Sequence, residues 1–352
     1  MPHTPIKIFG KTIGEGYPTF FIAEIGLNHN GSMDIAKQLI DVAVNAGCDA
    51  VKFQKRDIES LSVRSFLDAP DTRFPEFGST YREVREFVEF SEEEFTELKR
   101  YAQEKEIPFF VTPFDIPSAQ MLARIGVDAY KSASHNLTHI PLLKHLIAQQ
   151  KPMIVSTGMA MLEELDLAVN LLKESNIPFV LLHCVSSYPT APELINLKTI
   201  DFLRERYQVP VGYSGHEMLE TESLPTLSAV ARGACVVERH ITLDHHMVGF
   251  DHKISLTPNE LQKLMGQIRS IDKMMGTGLK TLLPEERIKR DQQRVSLVSS
   301  RKISAGEIIQ PDMVCFKGPG TGFACYDLDQ IVGKSAITDI DEDTLFQAEM
   351  FN

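Results

Sequence analysis

VPVGYSGH (209–216) and CVVERHITLD (235–244) each read as a short buried strand ending in a polar cluster that contains a histidine. His216 and His240 then stand at equivalent ends of consecutive strands, which is how a barrel assembles a site from distant residues. Six further segments share the pattern: FFIAEIG (20–26), AVKFQK (50–55), PFFVTPF (108–114), AYKSAS (129–134), PMIVSTG (152–158) and FVLLHC (179–184). Short apolar runs rich in Val, Ile and Phe suit strands covered on both faces in a parallel sheet.

Helix patterns separate the strands. Ser32 is placed to cap a helix with Ile35, Leu39, Ile40 and Ala43 on one face, stopped by Gly47. Ser91 with Glu94 starts a second helix, and Thr257, Pro258 and Glu260 a third. Eight strands alternating with helices over 20–275 match the roughly 250 residues of a TIM (β/α)8 barrel. A doubly wound open sheet satisfies the same periodicity. The long connection 56–107 shows one strong helix, 91–104, and its polar, aromatic first half reads as a functional loop over the barrel mouth. The α/β barrel is assigned to 1–275, a polar linker to 276–293 and a small β-rich domain to 294–352. A domain that small is marginal alone and is expected to dock on something.

Net charge of −12 argues against a general nucleic-acid or anionic-membrane partner. Hydrophobic content of 43% and charged content of 24% are those of a soluble globular chain. There is no apolar run of membrane-span length and no signal-peptide core in MPHTPIKIFG, so a cytoplasmic location is expected. Cys48, Cys184, Cys235, Cys315 and Cys325 are scattered, without a CxxC pair, and read as reduced thiols. Gly333-Lys334-Ser335 lacks the upstream glycine of a phosphate loop, and GPGTG (318–322) reads as a tight turn.

The strand ends carry Glu24, Lys52 with Gln54, Thr112, Lys131 with Ser134, Ser156, Ser186, Ser214 with His216, and Glu238 with His240. Two lysines and several hydroxyls at one mouth describe a site for a small, multiply charged anion. Taken singly, each has a blander reading: a lysine paired with Glu24, serines as core fillers, histidines as core residues. Two imidazoles at matched strand ends instead leave an open shell for a divalent ion that polarises a carbonyl.

FIAEIGLNHNG (21–31), DAVKFQK (49–55), TPF (112–114), STGM (156–159), HCVSSYPT (183–190), GYSGH (212–216) and ERHITLD (238–244) resemble the sialic acid synthases, and more broadly the nonulosonic acid synthases, over nearly the whole chain. RKISAGEII…FKGPGTGF resembles that family's antifreeze-like (SAF) domain. The resemblance implies a phosphoenolpyruvate-dependent transferase that condenses phosphoenolpyruvate with N-acetylmannosamine or a related acylated hexosamine. Water and a divalent metal, Mn²⁺ or Mg²⁺, take part, and a nine-carbon 2-keto acid and phosphate are formed. It assigns Lys52, Thr112, Lys131, Ser134, Ser156 and Ser214 to phosphoenolpyruvate, His216 and His240 to the metal, and Glu24, Gln54, Tyr188 and Asp251 to the sugar or reacting centre. It also implies a homodimer in which each SAF domain caps the partner's barrel.

Three positions depart from the family pattern. Asn136, in KSASHN (131–136), stands where the family carries an acid, so His135, a metal-bound water or a purely hydrogen-bonding role takes its place. Ser186 stands where an Asn is usual, and Lys317 replaces the arginine of the SAF turn. The departures leave a legionaminic or pseudaminic acid synthase as the alternative. A Schiff-base aldolase using Lys52 or Lys131, and a non-catalytic sugar- or phosphate-binding descendant, are the rival classes.

Overall fold

The computed structural model describes residues 4–217 and 223–352. They form two compact units, one running to Thr277 and one from Gly278 to Asn352. The first opens with a hairpin, β1 (Ile6–Ile8) and β2 (Lys11–Ile13), which the strand pattern did not reveal. The barrel follows: β3 (Phe20–Gly26), β4 (Ala50–Lys55), β5 (Phe109–Pro113), β6 (Tyr130–Ser132), β7 (Met153–Ser156), β8 (Phe179–Cys184), β9 (Val211–Gly215) and β10 (Val236–His240). Every ladder is parallel, and β10 closes onto β3 by pairing Val236–His240 with Phe20–Glu24. That last ladder excludes the open sheet.

Side chains alternate across each strand, so one set packs outward on the helices and the other fills the barrel. Phe21, Ala23 and Ile25 belong to the outer core with Leu39, Ile40 and Leu98. Phe20 and Ile22 point the other way and pack with Phe110, Ile154 and Val180, over Ile8 and Ile13 of the hairpin. The inward series changes character toward the C-terminal ends. Phe20 and Ile22 lead to Glu24, Ala50 to Lys52, Ile154 to Ser156, and Val236 to Glu238 and His240. An apolar layer therefore closes one end of the barrel, and a buried polar layer lies above it.

The expected helix caps form. Ser32 Oγ accepts from the Ile35 amide, and Gly47 ends the helix with φ 76°. Glu260 accepts from both the amide and the hydroxyl of Thr257. The long connection departs from its reading as one helix after a loop. It holds two single-turn helices, Ile58–Leu61 and Arg64–Leu67, and an eight-residue helix, Tyr81–Val88, before Glu92–Glu104. Thr80 and Glu83 form a reciprocal capping box on that eight-residue helix, a signal present in the sequence but attached to too few apolar positions to stand out. Phe74 packs on Phe250 at 4.6 Å and Phe77 on Phe87 at 4.6 Å, tying the aromatic loop down.

His29, after β3, is 1% exposed and stacks on Phe90 at 4.1 Å. Burial pushes its pKa from 6.5 down to about 3. Between those values the unfolded chain binds a proton that the folded chain does not, so stability falls as pH falls through this window and is unaffected above it. Unfolding free energies measured by denaturant titration should decline by about 1.4 kcal/mol per pH unit for this residue. His29→Leu should remove that part of the slope; equal slopes in the two proteins would contradict the assignment.

In the second unit, β11 (Ser296–Ser299) pairs antiparallel with β12 (Val314–Lys317) over a core of Leu297, Ile303, Met313, Ile340 and Phe346. The polar stretch read as a linker holds a ten-residue helix, Pro284–Gln293. Proline at its start, Glu285 and Glu286 in its first turn and Arg290 in its last suit the helix dipole. The five cysteines are unpaired. Among the described residues, no helix is long and apolar enough to cross a membrane.

Candidate active site

The polar layer of the barrel opens into a cavity of about 360 Å³, within the range of small-molecule sites. Its floor is an ionic lattice. Lys52 Nζ lies 2.7 Å from Glu24 Oε2, donates to Thr112 Oγ1 at 2.9 Å and is 3.8 Å from Glu238 Oε1. Lys131 Nζ donates to Ser156 Oγ at 2.6 Å and lies 3.9 Å from the same Glu238 oxygen, to which Ser214 donates at 3.2 Å. These contacts follow from register: Glu24 pairs with Lys52, Lys131 with Ile154, and Glu238 with Ser214, all on the inward face.

Burial pushes the Lys131 ammonium below its ordinary pKa, against the pull of Glu238. For Glu238 burial favours the neutral acid, but Lys131 and Lys52 together outweigh it and hold the carboxyl below the usual range. The lattice is thus two cations against two carboxylates, both pairs almost out of solvent. An incoming polyanion meets hydroxyls and ammonium groups already oriented, though no surplus positive charge.

The wall beside it is built for close approach. Gly158 donates its amide to Ser134 Oγ at 3.0 Å, and Ser134 Oγ lies 3.0 Å from Cys184 Sγ. A Cβ at Gly158 would come within 2.5 Å of Ser186 Oγ and 2.8 Å of Ser134 Oγ. Gln54 Nε2 donates to Glu24 Oε1 at 2.7 Å, fixing the second carboxylate oxygen.

His216 and His240 face each other with ring centroids 5.7 Å apart, and the Tyr188 ring lies 4.2 Å from His216. His216 Nδ1 donates to the Val185 carbonyl at 3.0 Å, which fixes the tautomer and leaves Nε2 with its lone pair. Burial, with the neighbouring imidazole, pushes His216 down to about 4, so the ring is neutral near pH 7. His240 Nδ1 is buried without a hydrogen-bond partner among the described residues and lies 3.7 Å from Asp251 Oδ2. Among the described residues, no three His, Cys, Asp or Glu side chains gather as a closed metal site. Two imidazole nitrogen donors, one orphaned and one oriented by a carbonyl, instead fit a divalent ion in an open shell. Its charge would also supply the positive excess that the balanced lysine–glutamate lattice lacks.

Fourteen of the sequence-derived candidates, Glu238 among them, therefore share one cavity. Two do not. Asn136 is buried in a 3-10 turn, where its Nδ2 donates to the Phe114 carbonyl at 2.9 Å, and it is not part of the cavity wall, whereas His135 is. Lys317 lies in the second unit, 2.5 Å from Asp343. Sequence reasoning missed Arg56 and Arg85, which also line the cavity. Both come from the connection after β4, away from the strand ends where candidates were sought.

The NeuB family model matches residues 39–280, and the SAF domain model residues 294–352. The chain is 40% identical to an uncharacterised protein of Methanocaldococcus jannaschii, over 97% of this chain and 96% of that protein. It is 36% identical to the N-acetylneuraminate-9-phosphate synthase of Homo sapiens (97% and 95%). To the N,N'-diacetyllegionaminic acid synthase of Campylobacter jejuni it is 37% identical (94% and 99%). The crystal structure of an N-acetylneuraminic acid synthetase from Leptospira borgpetersenii superposes with a TM-score of 0.72 at 37% identity, over 82% of this chain and 95% of that one. With the closed eight-stranded barrel, these matches make the chain a member of the NeuB family that carries a SAF domain at its C-terminal end.

Proposed function

We propose that this enzyme condenses phosphoenolpyruvate with the open-chain aldehyde of an acylated hexosamine to give a nine-carbon 2-keto acid and phosphate. The observation that carries the reading is the juxtaposition of the Lys52–Lys131 lattice and the facing His216 and His240 rings in one cavity. Names of relatives include both a phosphorylated and an unphosphorylated product, so the sugar is not chosen by likeness.

In this reading Lys52, Lys131, Thr112, Ser134, Ser156, Ser186 and Ser214 hold the phosphate and carboxylate of phosphoenolpyruvate. Glu24, Gln54, Tyr188 and Asp251 face the sugar. His216 and His240 hold a divalent ion, Mn²⁺ or Mg²⁺, which when bound polarises the aldehyde carbonyl. The methylene carbon of phosphoenolpyruvate forms a bond to the aldehyde carbon, and water adds to the cationic carbon left behind. The bond from that carbon to the phosphate oxygen then breaks. Water supplies the keto oxygen; one of its protons ends on the former aldehyde oxygen and the other on the departing phosphate. Glu24, held by Lys52 and Gln54, is placed to pass a proton from the incoming water, and the two ammonium groups stay fixed on the anion throughout.

Lys317 acts on the sugar only if a SAF domain reaches a barrel mouth, which in a swapped homodimer is the partner's. Asn136 keeps a structural role, bracing the strand end through Phe114. The reading is tested by phosphate release from phosphoenolpyruvate with Mn²⁺ and a panel of acylated hexosamines. Release dependent on one sugar class is expected. No release with any sugar would favour a binding-only protein, and a pyruvate adduct trapped by borohydride would favour a Schiff-base aldolase.

A further inference from the structure

Asn28, Asn30 and His252 have no task in the condensation, yet they meet on the loop that brings Asp251 to the cavity. That loop, 242–255, joins the end of β10 to the helix Pro258–Met275. Its two ends lie side by side. The Thr242 amide donates to the Leu256 carbonyl at 2.9 Å, and the Leu256 amide to the His240 carbonyl at 2.8 Å. Compact loops with closed ends of this kind often carry functional groups. Phe250 and Asp251 line the cavity from it, with Asp251 Oδ2 3.7 Å from His240 Nδ1.

The interior of the loop is polar: Thr242 and Ser255 are 0% exposed and His252 is 1% exposed. Asn28, in the turn after β3, holds the neck. Its Nδ2 donates to the Ile241 carbonyl at 2.9 Å and to Ser255 Oγ at 2.8 Å, and Ser255 Oγ donates to the Asp251 carbonyl at 2.6 Å. Asn30 holds the tip. Its Nδ2 donates to the Val248 carbonyl at 2.8 Å, which turns its Oδ1 toward His252 Nε2 at 3.3 Å. An amide oxygen only accepts, so Nε2 carries the ring proton. Burial pushes His252 down to about 4 against the pull of Asp251 and Asp244, so the ring is neutral near pH 7. Its Nδ1 then accepts from the Thr242 hydroxyl at 2.7 Å. Gly249 lies against the same contact: a Cβ there would come within 2.6 Å of His252 Nε2 and 2.7 Å of Asn30 Oδ1. Hydrogen bonds are directional, so a polar interior fixes where the loop sits more narrowly than apolar packing would. Asn30 itself has φ 50°, a left-handed conformation that asparagine and aspartate tolerate better than most residues.

We propose that Asn30 and His252 are positioning residues: they clamp the loop 242–255 so that Asp251 is fixed at the cavity, and through Asp251 they set the affinity for the sugar. Neither is part of the cavity wall. That Asp251 meets a sugar rests on the synthase reading; the hold on the loop does not. The phosphoenolpyruvate contacts lie on other strands, at Lys52, Thr112, Lys131 and Ser156, so a loosened loop leaves them in place.

The test combines kinetics with amide hydrogen exchange on the full-length protein. Asn30→Gly removes both side-chain hydrogen bonds without straining the left-handed backbone. Its KM for the accepted hexosamine should rise about 10-fold, with kcat and the KM for phosphoenolpyruvate within about 2-fold of the parent. Exchange, followed by mass spectrometry, should quicken in peptides covering 242–255 and not in those covering the barrel strands. Asn30→Asp keeps an acceptor for His252 but loses the bond to Val248, so it should restore part of the sugar KM. His252→Ala should reproduce the Asn30→Gly pattern from the other side of the contact. Unchanged exchange across 242–255 in both variants would overturn the clamp. A loop that loosens without moving the sugar KM, or an equal loss of affinity for phosphoenolpyruvate and sugar, would overturn the positioning role. If no hexosamine drives phosphate release while the loop still loosens in both variants, the synthase reading falls and the hold on Asp251 stands.

Discussion

Lys131→Met should lower kcat/KM for phosphoenolpyruvate by on the order of 10³-fold, with a native circular dichroism spectrum and little change in affinity for the sugar. Lys131 is 2% exposed, and it contacts Ser156, the Ser132 carbonyl and Glu238. Methionine matches the length of the stem, so packing is kept while the charge and its donors are lost. Glu238 then faces Lys52 alone at 3.8 Å. The double variant Lys131→Met/Glu238→Gln removes that imbalance and separates loss of fold from loss of function. If the double variant is stable and still turns over at the wild-type rate, Lys131 does not hold the anion.

The second large effect is on stability. Arg239 and Glu217 flank the two histidines in sequence and form an ion pair that is 1% and 0% exposed at the side chains. Arg239 Nη1 donates to Glu217 Oε1 at 2.5 Å and to Thr226 Oγ1 at 2.8 Å, while Tyr213 donates to the other Glu217 oxygen at 3.0 Å. Arg239→Met leaves Glu217 buried without its cation and should cost about 3–5 kcal/mol in a denaturant titration. Replacing both partners by apolar residues of similar volume should recover most of the loss, because a buried pair returns little beyond its own desolvation. A single variant as stable as the parent would mean that Glu217 protonates at no cost. The pair ties the ends of β9 and β10 together, so the single variant should also weaken binding of a divalent ion at His216 and His240.

The barrel was legible because its signal repeats. Each strand is an apolar run with a polar inward end, and eight such runs fit a barrel, though an open sheet fits them too, and put Glu24, Lys52, Lys131, His216 and His240 at strand ends; the β10–β3 ladder supplies the closure. Period-two alternation says which side chains share a face, and parallel register does the rest. The N-terminal hairpin escaped because three-residue strands carry no period. Arg56 and Arg85 escaped for a different reason. Their positions depend on how a connection folds back over the mouth, and that is decided by packing of Phe74, Phe77, Phe87 and Phe250 and by one short capped helix. Asn136 shows the opposite limit. Its place after β6 put it near the mouth, but a 3-10 turn directs its amide to the Phe114 carbonyl.

Central to the proposed chemistry is that the lysine lattice and a histidine-held divalent ion act on phosphoenolpyruvate in one cavity. The most direct test is phosphate release from phosphoenolpyruvate in the presence of the accepted hexosamine, with and without a chelator. Release should match keto-acid formation one to one, cease on chelation, return with added Mn²⁺, and fail to return in His216→Ala or His240→Ala. Full turnover in the chelated protein, or in either histidine variant, would contradict it.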